Sequence, residues 1–165
     1  MVQTIDAKTA TQPAPLRISR IFPAPPELVF KAWSSTDHVR RWFHPTGYSA
    51  PEGRVQMHVG GPFEVCMRAP DGTRHWTRGT FVEVVPDSRL VLDLYATDAE
   101  GRRLFRCHTE VSFTDEGAVG TRMEVVQTYT FEDSEAAAPM VEGAPIGWSQ
   151  TLDKLGAAAS ESSNV

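Results

Sequence analysis

Two neighbouring stretches constrain this chain more than any other feature. In 104–113, Phe105, Cys107, Thr109, Val111 and Phe113 share one face, with Arg106, His108, Glu110 and Ser112 on the other. In 121–131, Thr121, Met123, Val125, Gln127, Tyr129 and Phe131 alternate with Arg122, Glu124, Val126, Thr128 and Thr130. A period of two is the signature of a strand, and one apolar face opposite one wetted face belongs to an antiparallel sheet covered on one side only. The turn-rich DEGAVG (115–120) joins the two stretches. Whatever fold forms must supply something to cover the apolar face.

The alternating character extends from Tyr48 to Phe131. Turn signals recur as PEG (51–53), GGP (60–62), PDG (70–72), PDS (86–88) and DAEG (98–101), and with 115–120 they divide the segment into about six strands, as in an antiparallel meander. The strand at 62–69 agrees in phase, with Phe63, Val65 and Met67 set against Glu64 and Arg68. In 76–85 the phase is ambiguous. Before the meander, LRISRIF (16–22) alternates well enough for a first strand, which Pro23, Pro25 and Pro26 stop. Proline suits the first turn of a helix, where its missing N–H has no helical partner. PELVFKAWS (26–34) therefore predicts a short helix, and TDHVRRWF (36–43) a second, capped by Ser35, Thr36 or Asp37 and ended by His44-Pro45.

The candidate cover lies near the C-terminus. In GWSQTLDKL (147–155), Trp148, Leu152 and Leu155 recur at helical spacing with polar residues between them. This helix alone has the length and the clean stripe to lie across a sheet. Pro145 suits its start, whereas Pro139 and Gly143 predict no continuous helix upstream. The architecture expected is α+β: a curved antiparallel sheet of six or seven strands, two short helices after the first strand, and a long C-terminal helix gripping the sheet. Residues 1–15 read as a polar N-terminal tail, 16–159 as one domain, and 160–165 as a fraying end.

Composition narrows the function. A net charge of −5 and isolated Arg pairs at 40–41 and 102–103 give no electrostatic reason to expect nucleic acid. No apolar run approaches the roughly 20 residues that cross a bilayer, and the N-terminus lacks the apolar centre of a secretion signal. Cys66 and Cys107 belong to no C-x-x-C pair and read as reduced thiols in a cytoplasmic protein, with a single disulfide between them as the alternative. There is no G-x-S-x-G, H-E-x-x-H, phosphate-binding loop or dinucleotide fingerprint, and His38, His44, His58, His75 and His108 show no paired metal-ligand spacing. The sequence therefore assigns no catalytic residue, no metal and no cofactor.

Four segments in order resemble a known family: ISRIFPAPPELVFKAWSSTDHVRRWFHPTG (18–47), GGPFEVCMRAPDGT (60–73), RGTFVEVVPDSRLV (78–91) and GWSQTLDKL (147–155). Together they are similar to the START-type, helix-grip (Bet v 1-like, SRPBCC) superfamily. Within it they resemble the bacterial domains related to the C-terminal domain of the activator of Hsp90 ATPase. The resemblance implies a sheet wrapped round the last helix with a cavity between them for an apolar small molecule. Relatives usually carry Trp-Gly where this chain has Phe43-His44. A further departure is Pro139, Gly143 and Pro145, which interrupt a commonly smoother entry to the last helix.

The inward face read from the phases comprises Phe63, Val65, Met67, Phe105, Cys107, Thr109, Met123, Val125, Gln127 and Tyr129, with Trp148 and Leu152 above it. For most of these a solid core is the simpler reading. Thr109, Gln127 and Tyr129 are polar groups converging on an apolar space, which is how small-molecule pockets are lined. Buried Gln127 demands a partner, because an unpaired amide costs about 1–3 kcal/mol; backbone, water or a ligand can serve, and backbone or water is the simplest. Trp42 and His44 join the candidate ligand-binding set at the turn after the second helix, where His44 titrates near neutrality. The leading reading is a domain that binds an apolar or aromatic small molecule without chemistry. The alternatives are a cyclase- or hydratase-type enzyme using His44, Gln127 and Tyr129, and an Hsp90-related interaction module that only the family name suggests. A homodimer through exposed sheet edges stays open, with no residue pointing to an interface.

Overall fold

The computed structural model describes the backbone of residues 13–163 and the side chains of 13–159. Most of the expected N-terminal tail, residues 1–12, and the last two residues of the chain lie outside the described residues. The described residues form seven strands: β1 (Leu16–Phe22), β2 (Ser49–Val55), β3 (Pro62–Arg68), β4 (Arg74–Val85), β5 (Arg89–Thr97), β6 (Arg103–Asp115) and β7 (Thr121–Phe131). They form one curled, wholly antiparallel sheet in the order β1-β7-β6-β5-β4-β3-β2. From β2 to β7 each strand pairs with the next in sequence, the meander that the turn signals imply. β1 closes against β7, with Leu16 opposite Gln127 and Phe22 opposite Thr121.

The ambiguity of the fourth strand has a structural cause. Its register against β5 shifts between Phe81 and Glu83, leaving Val82 as an extra residue in a bulge. Thr77 and Phe81 face inward before the bulge, and Val84 packs against the core after it. One insertion moves the inward set from odd to even positions, so no single phase fits the strand.

The helices form where the signals place them. α1 (Pro26–Lys31) starts on Pro26, and α2 (Thr36–Trp42) is capped by Ser35, whose Oγ accepts from the His38 amide at 3.3 Å. α3 (Ser134–Glu142) departs from expectation, since it carries Pro139 in its interior. Asp133 caps it by accepting the Ala136 amide at 3.2 Å, and Glu135 and Ala136 to Ala138 are strong helix formers that outweigh one lost backbone bond. The expected interruption falls at Gly143, and α4 (Ala144–Ser163) follows directly. The sequence predicts fraying after Ala159; the helix continues to Ser163, carried by the Ala157–Ala159 run.

The interface between sheet and helices holds the core. Trp148, Leu152 and Leu155 of α4 are all buried, Leu152 and Leu155 completely. Each contributes roughly 1.5–3 kcal/mol before entropy costs. The polar residues between them fasten the helix at its margins. Arg20 of β1 pairs with Asp153 and donates to Ser149 Oγ at 3.2 Å. Gln150 accepts the Thr46 amide at 3.0 Å, and Lys154 Nζ donates to the His44 carbonyl at 2.9 Å. The outer face of the sheet is charged. Arg78 lies over Trp76 and Arg103 over Tyr95, while exposed His108 shares a 2.7 Å hydrogen bond with Asp93. Both cysteines are free and buried. No helix among the described residues is long and apolar enough to cross a membrane.

Candidate functional site

The space under the sheet divides in two. One end is solid. Trp33 and Trp42 meet edge to face at 4.7 Å, Phe43 meets Phe63 at 5.2 Å, and Phe63 meets Phe81 at 5.9 Å. Val29, Val39, Val65, Met123, Val125 and Leu152 complete this end, none of them reached by solvent. Trp42 is fixed further by donating from Nε1 to the Ala32 carbonyl at 2.9 Å.

The other end is hollow. A cavity of about 480 Å³ opens between the inner face of β3–β7, the loop after α2, and the α3–α4 junction. Its wall is made of small and apolar groups: Leu94, Ala96, Phe105 and Cys107 from the sheet, Pro139 and Met140 from α3, and Gly143, Ala144, Gly147 and Trp148 from the junction and α4. Thr77, Thr151, Tyr48 and His75 add polar edges. A side chain at Gly147 would meet nothing within 4 Å, so the helix leaves room where the cavity begins.

Of the fourteen residues that the sequence nominates, Met67, Phe105, Cys107, Gln127, Tyr129 and Trp148 come together on this wall. Trp42, Phe63, Val65, Met123, Val125 and Leu152 stand in the solid end, and Thr109 lies behind the wall, holding Gln127. His44 is not on the wall; its neighbours Phe43 and Pro45 are. The His44 imidazole sits outside them with Nδ1 at 3.5 Å from the Pro45 carbonyl. Burial, with the Lys154 ammonium next in weight, holds its ionisation below the usual histidine value.

The partner of Gln127 is neither backbone nor water, as the sequence reading supposes. Its Oε1 accepts from Tyr129 OH at 2.8 Å and from Trp148 Nε1 at 2.9 Å, and its Nε2 donates to Thr109 Oγ1 at 3.1 Å. Cys107 Sγ stands 3.4 Å from Thr109 Oγ1. The polar residues of the inward face therefore satisfy one another, and through Trp148 they tie sheet to helix. Burial raises the Tyr129 phenol above its ordinary range and pushes the Cys107 thiol up to about 12. Both stay protonated near neutral pH, so neither is an ionised nucleophile or base.

His75, Thr77, Phe43 and the α3 residues escape a reading of periodicity. Thr77 and His75 belong to the strand whose phase the bulge conceals. The Pro139-Met140 pair lies on a helix whose proline argues against it. Among the described residues, no group of three or more His, Cys, Asp or Glu side chains could hold a metal ion.

Comparison with known proteins agrees with the architecture. A solution structure of a protein from Arthrobacter aurescens aligns with a TM-score of 0.76 at 26% identity, over 89% of this chain and 86% of its own. A crystal structure from Chromobacterium violaceum aligns at 0.73 and 25% identity, over 88% and 96%. The AHSA1 protein from Silicibacter pomeroyi shares the fold, with a TM-score of 0.73 at 24% identity, over 90% and 99%. The chain matches no curated protein. Residues 23–160 match the family described as activator of Hsp90 ATPase homolog 1-like protein, which takes in the short helices, six of the seven strands and nearly all of α4. By that match, and by the strand order and helix grip that accompany it, this chain belongs to the activator of Hsp90 ATPase homolog 1-like family.

Proposed function

We propose that this domain binds an apolar or aromatic small molecule between the sheet and α4 and performs no chemistry on it. One observation carries the reading: the cavity of about 480 Å³ falls within the roughly 300–1,000 Å³ of small-molecule sites and has their mix of apolar wall and few polar groups. The protonated state of Tyr129 and Cys107 supports binding over catalysis, as does the position of His44 outside the wall. A cytoplasmic setting accords with two buried, unpaired thiols.

The test is a thermal-shift screen of neutral two- and three-ring aromatic compounds against the wild type and Gly147→Leu. A ligand that binds only the folded state raises the melting temperature. Shifts are expected in the wild type and lost in Gly147→Leu, whose side chain enters the cavity. If no compound shifts the wild type, or if the shifts survive in Gly147→Leu, the binding reading fails.

A further inference from the structure

Among the polar groups that line the cavity, the Gln127 knot and His75 differ in one respect. At the first, both acceptor sites of Gln127 Oε1 are taken by Tyr129 and Trp148, and Nε2 is engaged by Thr109. This region needs nothing from a ligand. The second is His75, near the start of β4 and in register with Met67. Its Nδ1 is buried and has no hydrogen-bond partner. A buried polar atom left in that state costs about as much as the hydrogen bond it lacks, and native proteins seldom leave one without a purpose.

The two regions stand well apart. Tyr129 is in register with Cys107, Leu94 and Gly79, so His75 lies three strands away and four residues further along β4. Three strand spacings alone amount to roughly 14 Å along the sheet. Between them the sheet side of the wall runs from Phe105 through Ala96 to Thr77, uncharged throughout and with the Thr77 hydroxyl as its one polar group. No Asp, Glu, Lys or Arg stands among the lining residues. A carboxylate or an ammonium taken into this space would find no fixed opposite charge to offset its lost hydration.

We propose that His75 is the polar anchor of the cavity, and that the ligand is a neutral apolar molecule whose hydroxyl group bonds to His75 Nδ1, the imidazole turning from its solvent-closed position on the wall to meet it. A hydroxyl both donates and accepts, so it satisfies Nδ1 in either imidazole tautomer. The proposal rests on the binding reading above and adds what that reading leaves open: the charge of the ligand and the place of its polar end.

Three probes with one skeleton separate the possibilities: biphenyl, 4-phenylphenol and biphenyl-4-carboxylate. Each is titrated into the full chain, its affinity read by calorimetry or by quenching of tryptophan fluorescence, to which Trp148 on the wall contributes. In the wild type, 4-phenylphenol is expected to bind about tenfold more tightly than biphenyl, the worth of one hydrogen bond to a buried orphan, with the carboxylate weakest. His75→Phe should remove the preference for the phenol while biphenyl binds as before. His75→Asn, which keeps a polar atom near the Nδ1 position, should restore part of it, and it serves if the Phe variant folds poorly. Equal binding of biphenyl and 4-phenylphenol in the wild type overturns the anchor but leaves the cavity reading standing. So does tightest binding of the carboxylate, or a preference that survives in both variants. Failure of all three to bind overturns both.

Discussion

The solid and hollow ends of this domain use the same sheet and the same helix, and they differ in the size of the side chains that meet. At the solid end, Phe63 rises from β3 to meet Trp33 and Phe43, with Phe81 of β4 against it, and Trp42 packs on both Trp33 and Phe43. At the hollow end, β4 and β5 offer Thr77 and Ala96, and the α4 side offers Gly143, Ala144 and Gly147. Small residues facing small residues across a curled sheet leave a space that larger ones would fill. Phe43 stands at the boundary: its ring meets Trp42 at 5.6 Å and Phe63 at 5.2 Å on one side, and Trp148 at 6.0 Å on the other. The curl of the sheet allows a cavity; local side-chain volume decides where it lies.

The sharpest way to break this contrast is to truncate one residue from each end on a single strand. Phe63 and Met67 are four residues apart on β3 and both face inward, but Phe63 is wholly buried among rings and Met67 borders the cavity. Phe63→Ala is expected to cost about 3–5 kcal/mol, because the close-packed surroundings cannot collapse into the void. Met67→Ala should cost roughly 1–2 kcal/mol, since it only enlarges an opening that exists. Urea unfolding of the two variants measures both. Equal losses would show that the hollow end is as tightly packed as the solid one.

Next in size is the hydrogen-bonded knot that closes the cavity at the Trp148 side. Gln127→Leu leaves Tyr129 OH and Trp148 Nε1–H without their acceptor, at about 1–3 kcal/mol for each orphan, so a loss of about 2 kcal/mol or more is expected. Tyr129→Phe removes one of the two claimants on Gln127 Oε1. The double variant should therefore lose less than the sum of the singles, a coupling measured by a double-mutant cycle. Additive losses would mean that the three groups do not act as one network.

Smaller still is the effect of filling. Gly147→Leu puts a side chain into open space and replaces a residue poorly suited to a helix interior, so stability should stay within about 1 kcal/mol of the wild type or rise. The same substitution should abolish ligand-induced thermal shifts. A strongly destabilised Gly147→Leu would mean that the space beside α4 is narrower than the cavity requires.

How much of this was legible in the sequence follows from where each residue's signal lies. The alternation of β6 and β7 identified Phe105, Cys107, Gln127 and Tyr129 as inward, and the 3.6 period identified Trp148; all five line the cavity. The same reasoning grouped Val125, Met123 and Phe63 with them, because periodicity reports the face a residue takes and says nothing of what stands opposite. Whether an inward position meets a phenyl ring or empty space depends on residues brought over from α2, α3 and α4, distant in sequence. His75 was hidden by the bulge at Val82. Titration singles out the His44 imidazole in the sequence, whereas the turn aims the adjacent Phe43 ring inward.

The smallest expected effect belongs to the seam where His44 sits. Burial, then the Lys154 ammonium, lowers the His44 ionisation; burial, then Lys31 and Arg41, lowers that of His38 against the opposing pull of Asp37. A histidine whose folded pKa is depressed is favoured neutral in the native state, while the unfolded chain takes up protons at its ordinary value of about 6.5. Stability is then fully present above that value and falls as pH drops through it toward the folded pKa. The carboxylates of Asp98 and Glu110, also held low by their hydrogen bonds, retain their contribution until pH approaches the ordinary carboxylate range of about 4. Melting temperature followed from pH 7.5 down to 5.5 should therefore decline gently before the carboxylate region is reached, with His44→Asn showing a shallower slope and His38→Asn,His44→Asn the shallowest. A profile that is flat or rises on acidification, or that His44→Asn leaves unchanged, would remove His44 as a half-buried, neutral member of the seam between the solid end and the cavity.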